Sequence, residues 1–405
     1  MTNNEPALGR TLPLGQIYRI LKDGRWAFYF DAHTLAPFSE CPTKFFNRYI
    51  SNAPQVLKHK GPLSAAMSIG SWWSRVSENF YKHMAARQSD TIGSGTNLCP
   101  TMMDILVIAG NAWVEFDMDS MSQGSPKAVE KYEKFALPIS AGQFTKYFPQ
   151  GQVAETFLQM YKDKAARLRE AGEHDEARKV EAQTALPVGP LLMAAQYYDR
   201  FAQQDFRDFK IISAEAPFGR HGDVCVGETS EVIVYWQGKP DLVVYENATG
   251  VLAPLDQKTK DCITKDVNEI WKPHCQLTGY VFALAQIARD LGFTQTPDRC
   301  IVSVCGRLPA ATDRVTKLEK PRFARVRPQF SVEEIEEWRQ GILTKAEDLR
   351  RSMERGRWTR NEFACHQWSG CDFRPLCSRP AGVRPLISQS DYIVTDPWSP
   401  FDEEE

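Results

Sequence analysis

The sequence predicts an α/β protein with a mixed central sheet flanked by helices, a helical insertion and a cysteine-rich terminal lobe. Two short apolar runs, residues 242–245 and 251–255, read as strands joined by a turn at 247–250. A helical pattern opens at Trp271-Lys272-Pro273 and runs to about Asp290, with Pro273 in its first turn. Strands over 300–305 and 322–327 follow, so a helix crosses over between strands of one sheet.

Upstream, residues 26–30 (WAFYF) read as a short strand and 33–50 as a helix carrying Phe38, Phe45, Phe46 and Tyr49. Residues 67–85 place Trp72, Val76 and Phe80 at helical spacing. Residues 91–100 read as a loop and 102–137 as strand or irregular structure. A charged helix or helical hairpin spans 154–180, broken near Ala171-Gly172, and a helix over 191–208 feeds a strand at 210–217. Ser331 and Glu334 form a capping box that opens a helix ending near Gly356. The expected division is 1–90, an N-terminal helical part with the first cysteine of interest; 91–205, a mainly helical insertion; 206–355, the core; 356–385, a cysteine-rich lobe; and 386–405, a disordered acidic tail.

The chain has 405 residues, no run of eighteen apolar residues, and a start (MTNNEPALGR) without a signal-peptide core. The expectation is a cytoplasmic protein with no membrane association. In a reducing compartment the ten cysteines are not read as disulfides, and those at 99, 225, 262, 275, 300 and 305 read as small buried hydrophobes. Net charge is −2, but six acids lie in the last fifteen residues, and removing them takes it to +4. That body charge permits a nucleic-acid partner without arguing for one. The tail, with Trp398 and Phe401, reads as a solubilising end, a dock for a protein partner, or a shield for the protein's own groove. No GxxxxGK[ST] loop occurs, so there is no helicase motif.

Chemistry concentrates in GKPDLVVYENATGVLAPLDQKTK, residues 238–260. Asp241 stands at the mouth of the first strand and Asp256 at the end of the second, with Lys258 two residues on and so on the same face. Two acids can hold a hard divalent cation, and an amine beside them can orient or deprotonate a water. Glu215 lies in the preceding strand, and Gln276 and Tyr280, four apart, share a face of the following helix. Singly, each has a bland alternative: a turn residue, a surface ion pair or core. A second group is Cys365, Cys371 and Cys377 in CHQWSGCDFRPLC. Three close cysteines want a fourth ligand for zinc or an iron–sulfur cluster, and the spacing does not choose between these.

In this order the motifs resemble the PD-(D/E)xK nuclease superfamily, in particular its RecB-like exonuclease branch. Pro240-Asp241 and Asp256-Gln257-Lys258 match the name motif, and QLTGY supplies the helix with Gln and Tyr four apart. The resemblance implies a restriction-endonuclease-like core. It implies Mg²⁺ or Mn²⁺ held by Asp241 and Asp256 with the backbone carbonyl of Gln257, and Lys258 at the attacking water. Gln276 and Tyr280 would orient Lys258 or the DNA strand, and Glu215 would be the upstream acid. One departure concerns the branch's GxxxHxxxE helix: Gly70 and Glu78 fit, but Ser74 holds the histidine position and His83 does not match the spacing. Either the metal is held without histidine, or activity is altered.

The cysteines also resemble those of an iron–sulfur-bearing subgroup that includes AddB-type nuclease domains and the CRISPR-associated adaptation nuclease. Cys41 in CPTKF matches its upstream cysteine and CDFRPLC its last pair, although five residues part Cys365 from Cys371 where two are usual. The resemblance implies a 4Fe–4S cluster on Cys41, Cys365, Cys371 and Cys377, with zinc, or His366 in place of a cysteine, as alternatives. Such a link closes a very long loop and so suits a structural clamp. Lys44, Arg48, Arg374 and Arg379 around it could also meet DNA phosphates. The expected function is a metal-dependent DNA exonuclease, in a phage or recombination setting by analogy. The rival is a nuclease-like DNA-binding or assembly protein that has lost its chemistry.

Overall fold

The computed structural model describes residues 17–52, 56–59, 65–94, 98–115, 152–182, 188–219, 224–260, 263–264, 266–306, 322–366, 370–380 and 382–395. In chain order it begins with strands β1 (Tyr18–Ile20) and β2 (Trp26–Phe30) and helix α1 (Ala32–Glu40). Asp31 caps α1 by accepting from Thr34 N, and Thr34 returns a bond to the Asp31 N–H, the reciprocal arrangement of a capping box. The expected single helix over 33–50 is broken at Cys41, which is extended (φ −162°, ψ 112°) because Pro42 disfavours helical geometry before it. A short helix α2 (Pro42–Phe45) and a π-turn (Phe46–Ile50) complete the segment, followed by strand β3 (Val56–His59).

Helix α3 (Ala65–Ser94) is longer than expected, so residues 91–94 belong to helix and not loop. Residues 102–115, expected as strand or irregular structure, form helix α4 (Met102–Glu115), while 116–137 lie outside the described residues. Its apolar run is buried against other helices, a setting in which a helix loses the polar face that reveals its period. The charged hairpin is present as α5 (Gln152–Glu170) and α6 (His174–Ala182), turning at Gly172 with φ 85°. Helix α7 (Val188–Tyr197), a π-turn (Tyr198–Ala202) and α8 (Gln203–Asp208) lead into strand β4 (Phe209–Ala214), which stops short of the expected Pro217.

Strands β5 (Cys225–Glu228) and β6 (Val232–Trp236) precede the hairpin β7 (Leu242–Glu246) and β8 (Val251–Lys260). Helix α9 (Cys275–Asp290) begins after an N-cap at His274, four residues later than the expected opening at Trp271, so Pro273 precedes the helix and is not in its first turn. Then come β9 (Ile301–Gly306), β10 (Phe323–Val326) and α10 (Val332–Arg355). The Ser331–Glu334 capping box opens α10, and Gly356 at φ 60° closes it in the left-handed conformation suited to glycine. The chain ends in a helical turn α11 (Arg374–Cys377), helix α12 (Arg384–Asp391) and strand β11 (Tyr392–Thr395). The segment 386–395 is therefore regular structure, contrary to the expected disordered tail, and 396–405 lie outside the described residues.

The mixed sheet has the order β10-β9-β8-β7-β4, with β8 and β9 parallel and the other pairs antiparallel. Parallel neighbours need a crossover, and α9 supplies it. Alternation sends Leu242, Val244, Ala253 and Leu255 into a core with α3, α4 and α7, and Val243 and Leu252 toward Leu284 and Ala288 of α9. A second sheet, β1-β2-β6-β5, was not expected. It packs Phe28, Phe30, Val234 and Trp236 against Ala283 of α9 and Leu343 and Ala346 of α10. Helix α9 thus lies between two sheets. Gly279 explains how closely: a Cβ there would stand 2.4 Å from the Trp236 indole.

Candidate active site

Strand β7 covers only the first half of β8, pairing Leu242 with Leu255, whereas β9 pairs with β8 from Leu255 to Lys260. Asp256 is therefore inside a strand and not at its end, a correction that follows from the parallel partner extending β8. Beyond Leu255 one edge of β8 has no strand neighbour among the described residues, and its amides need another acceptor. Asp241, just before β7, provides it: its Oδ2 accepts the Gln257 backbone N–H at 2.5 Å. On the other side Glu215 N donates to Asp241 O at 2.9 Å. Glu215 has φ 52°, uncommon outside glycine, and its carboxylate pairs with Lys239 Nζ at 3.0 Å. The structure so brings Glu215 and Asp241 level, with Asp256 across from Asp241.

Asp256 and Lys258 face α9. Lys258 Nζ lies 2.8 Å from Asp256 Oδ2 and donates to Gln276 Oε1 at 3.1 Å. Gln276 Nε2 donates to the Tyr280 hydroxyl at 3.0 Å, which donates to the Lys239 carbonyl at 3.0 Å. Gly238 permits this closure, because a Cβ would come within 2.9 Å of both Phe218 and Tyr280. Asp256, Lys258, Gln276 and Tyr280 form one continuous relay.

The electrostatics are those of crowded acids. Burial, then the neighbouring Asp256, hold the Asp241 carboxyl well above the usual carboxylate value. Burial works to lower the Lys258 ammonium, but Asp256 and Asp241 outweigh it and keep the amine above its ordinary value. Burial, then Asp256, push the Tyr280 phenol well up. Two carboxylates opposed across a strand edge suit a dication, which relieves their mutual repulsion. Among the described residues no group of three or more His, Cys, Asp or Glu side chains is gathered as a metal-holding set.

Gly70 of α3 approaches β8 so closely that a Cβ would lie 3.1 Å from Thr259 Oγ1, so this helix flanks the strand that carries Lys258. Ser74 is one turn further along the same face. The sequence reading missed His274, whose titration is lowered by burial and then by Lys258. It also missed Lys239, the partner of Glu215, although that residue stands two before Asp241.

The cysteines lie where the two ends of the chain meet. Asn361 N donates to Cys41 Sγ at 3.4 Å, and Thr43 Oγ1 donates to Thr359 O at 2.9 Å. Asn47 Nδ2 donates to Cys377 Sγ at 3.4 Å, and Cys371 N donates to Cys365 O at 3.4 Å. β3 and β11 pair antiparallel, and Leu57, Phe373, Leu376 and Tyr392 pack beneath, with Cys371 and Cys377 against them. All four thiols are free of disulfides. Burial raises the Cys377 thiol, and Cys41 and Cys365 add to that rise. Of the expected phosphate contacts, Lys44 is engaged with Glu40 at 2.5 Å, and Arg48 lies over the Tyr49 ring.

The arrangement is thus a strand-edge pair of acids, a lysine two residues on and a crossover helix presenting Gln and Tyr. The family model of the PD-(D/E)XK nuclease superfamily matches residues 127–378, more than half of the chain, and the chain belongs to that superfamily. Membership supports a metal-dependent nuclease, and nucleases of this superfamily generally use Mg²⁺ or Mn²⁺. The match covers Glu215 through Cys377 and leaves Cys41 and the Gly70–Ser74–Glu78 positions outside. No curated protein matches the chain. No helix of the described residues is long and apolar enough to cross a membrane.

Proposed function

We propose that the protein is a Mg²⁺- or Mn²⁺-dependent deoxyribonuclease that degrades DNA from free ends. The observation that carries this is the unbroken relay from Asp256 through Lys258 and Gln276 to Tyr280. Asp241 and Asp256, with the Gln257 carbonyl, hold the cation; Glu215 is the upstream acid. The bound ion supplies charge stabilisation at the scissile phosphate and lowers the pKa of water. Lys258 directs the attacking water and offsets phosphate charge, and Gln276 and Tyr280 fix the direction of its ammonium. With Ser74 in the histidine position of α3, the cation in this reading is held without a histidine.

In this reading Cys41, Cys365, Cys371 and Cys377 are the ligands of a 4Fe–4S cluster, on the support of their thiol chemistry, their freedom from disulfides and the contacts of Asn361 with Cys41 and of Asn47 with Cys377, although among the described residues they are not gathered as a metal-holding set. The cluster acts as a structural clamp on the lobe that β3 and β11 begin to close. Zinc is the second reading, because four thiolates suit it equally. Digestion of end-labelled single- and double-stranded DNA, with and without Mg²⁺ and with a Lys258→Ala control, tests the enzyme. Release of mononucleotides or short end fragments supports an exonuclease; internal cuts overturn that part.

A further inference from the structure

Behind the catalytic strand, on the face away from α9, lies a buried polar network that the proposed chemistry does not use. Gln257 Nε2 donates to the Tyr197 hydroxyl at 2.9 Å. The Tyr197 and Tyr81 hydroxyls are 2.8 Å apart, and Tyr81 donates to Asp205 Oδ2 at 2.5 Å. Arg325 pairs with Asp205 and donates to the Tyr197 oxygen at 3.3 Å. Asp205 and Tyr81 are 0 % exposed and Tyr197 1 %. The Tyr197 hydroxyl also lies 3.5 Å from Ser303 Oγ of β9. Tyr81 donates its hydrogen to the Asp205 carboxylate, and the Tyr197 oxygen accepts from Arg325 and the Gln257 amide.

These groups come from α3, α7, α8, β8 and β10, and a buried ion pair with its hydroxyls is not the most stable way to fill a core. Such a network specifies one arrangement. Among the described residues it reaches the site through Gln257. That residue lies between Asp256 and Lys258, and its backbone N–H holds Asp241.

We propose that Tyr197 is a positioning residue that acts through Gln257, locking the Asp256–Lys258 segment in register with Asp241 so that both acids face one cation. The proposal rests on the metal-dependent nuclease reading.

The test is Mn²⁺ titration by calorimetry of the full chain as wild type, Tyr197→Phe, Gln257→Leu and the double variant, with cleavage kinetics alongside. Each single change is expected to weaken Mn²⁺ binding about tenfold, the scale of lost outer-shell support. The double variant is expected to be no weaker than the worse single, and kcat to fall with KM for DNA unchanged. Wild-type Mn²⁺ affinity in both singles, or effects that multiply in the double, overturns the proposal. If Tyr197→Phe does not fold, wild-type affinity in Gln257→Leu overturns it alone. A wild type that binds Mn²⁺ but cuts nothing counts against the nuclease reading and leaves the affinity comparison to decide this one. A wild type that binds no Mn²⁺ overturns both.

Discussion

The backbone N–H of Gln257 donates to Oδ2 of Asp241 at 2.5 Å, in the place where a longer β7 would offer a carbonyl. A side chain completes the sheet edge, and the same side chain is a candidate metal holder. The ladder and the chemistry therefore share one carboxylate.

That sharing has a consequence for stability. Burial and then Asp256 raise the Asp241 carboxyl, so the folded chain keeps a proton that the unfolded chain has released at the same pH. Stability of the metal-free protein therefore falls as pH rises from about 4 through the raised folded value. Asp241→Asn removes the penalty and is expected to melt a few degrees higher than wild type at neutral pH without metal, while losing the rise that Mn²⁺ gives. Thermal melts across pH, with and without Mn²⁺, check this; a lower melting temperature for Asp241→Asn contradicts it.

The relay predicts graded losses. Lys258→Ala removes the group at the reaction and is expected to lower kcat by about 10²–10⁴-fold. Tyr280→Phe breaks only the bonds to Gln276 and the Lys239 carbonyl, leaving Lys258 charged but less well directed. Its expected loss is smaller, about tenfold, the energy of roughly one hydrogen bond. Steady-state kinetics on a defined duplex separate the two, and equal losses would contradict the ranking.

Gly279→Ala addresses packing and not chemistry. Its Cβ would meet the Trp236 indole at 2.4 Å, so α9 must move away from the second sheet. The expected destabilisation is about 1–3 kcal/mol. Urea unfolding measures it.

For the cysteine lobe, anaerobically purified wild type is expected to be brown, with broad absorbance at about 400 nm from sulfur-to-iron charge transfer. Cys41→Ser is expected to lose that colour and to expose the 358–366 segment to protease, while the β3–β11 pair and its small core still tie the ends. A colourless protein containing zinc by metal analysis selects the second reading.

What the sequence disclosed follows from how local each signal is. The β7–β8 hairpin and α9 were legible because apolar alternation and helical spacing lie within short windows. Asp241, Asp256, Lys258, Gln276 and Tyr280 were legible because 40 residues of motif order bring them together. The second sheet was not, since β2 pairs with β6 across some two hundred residues and β1 has only three. β3 and β11 are further apart still, and nothing local in VLKH or YIVT names its partner. α4 carries no such signal, because a helix buried on most sides shows no period. Tyr197 left no signal at all, for its partner Gln257 is 60 residues away and tyrosines in helices are usually core.

The most direct measurement is Mg²⁺-dependent digestion of end-labelled DNA by the purified full chain beside its Lys258→Ala variant. The account predicts that the wild type shortens DNA only when Mg²⁺ or Mn²⁺ is present and that the variant is nearly inert. No cutting by either form, or equal cutting by both, contradicts it.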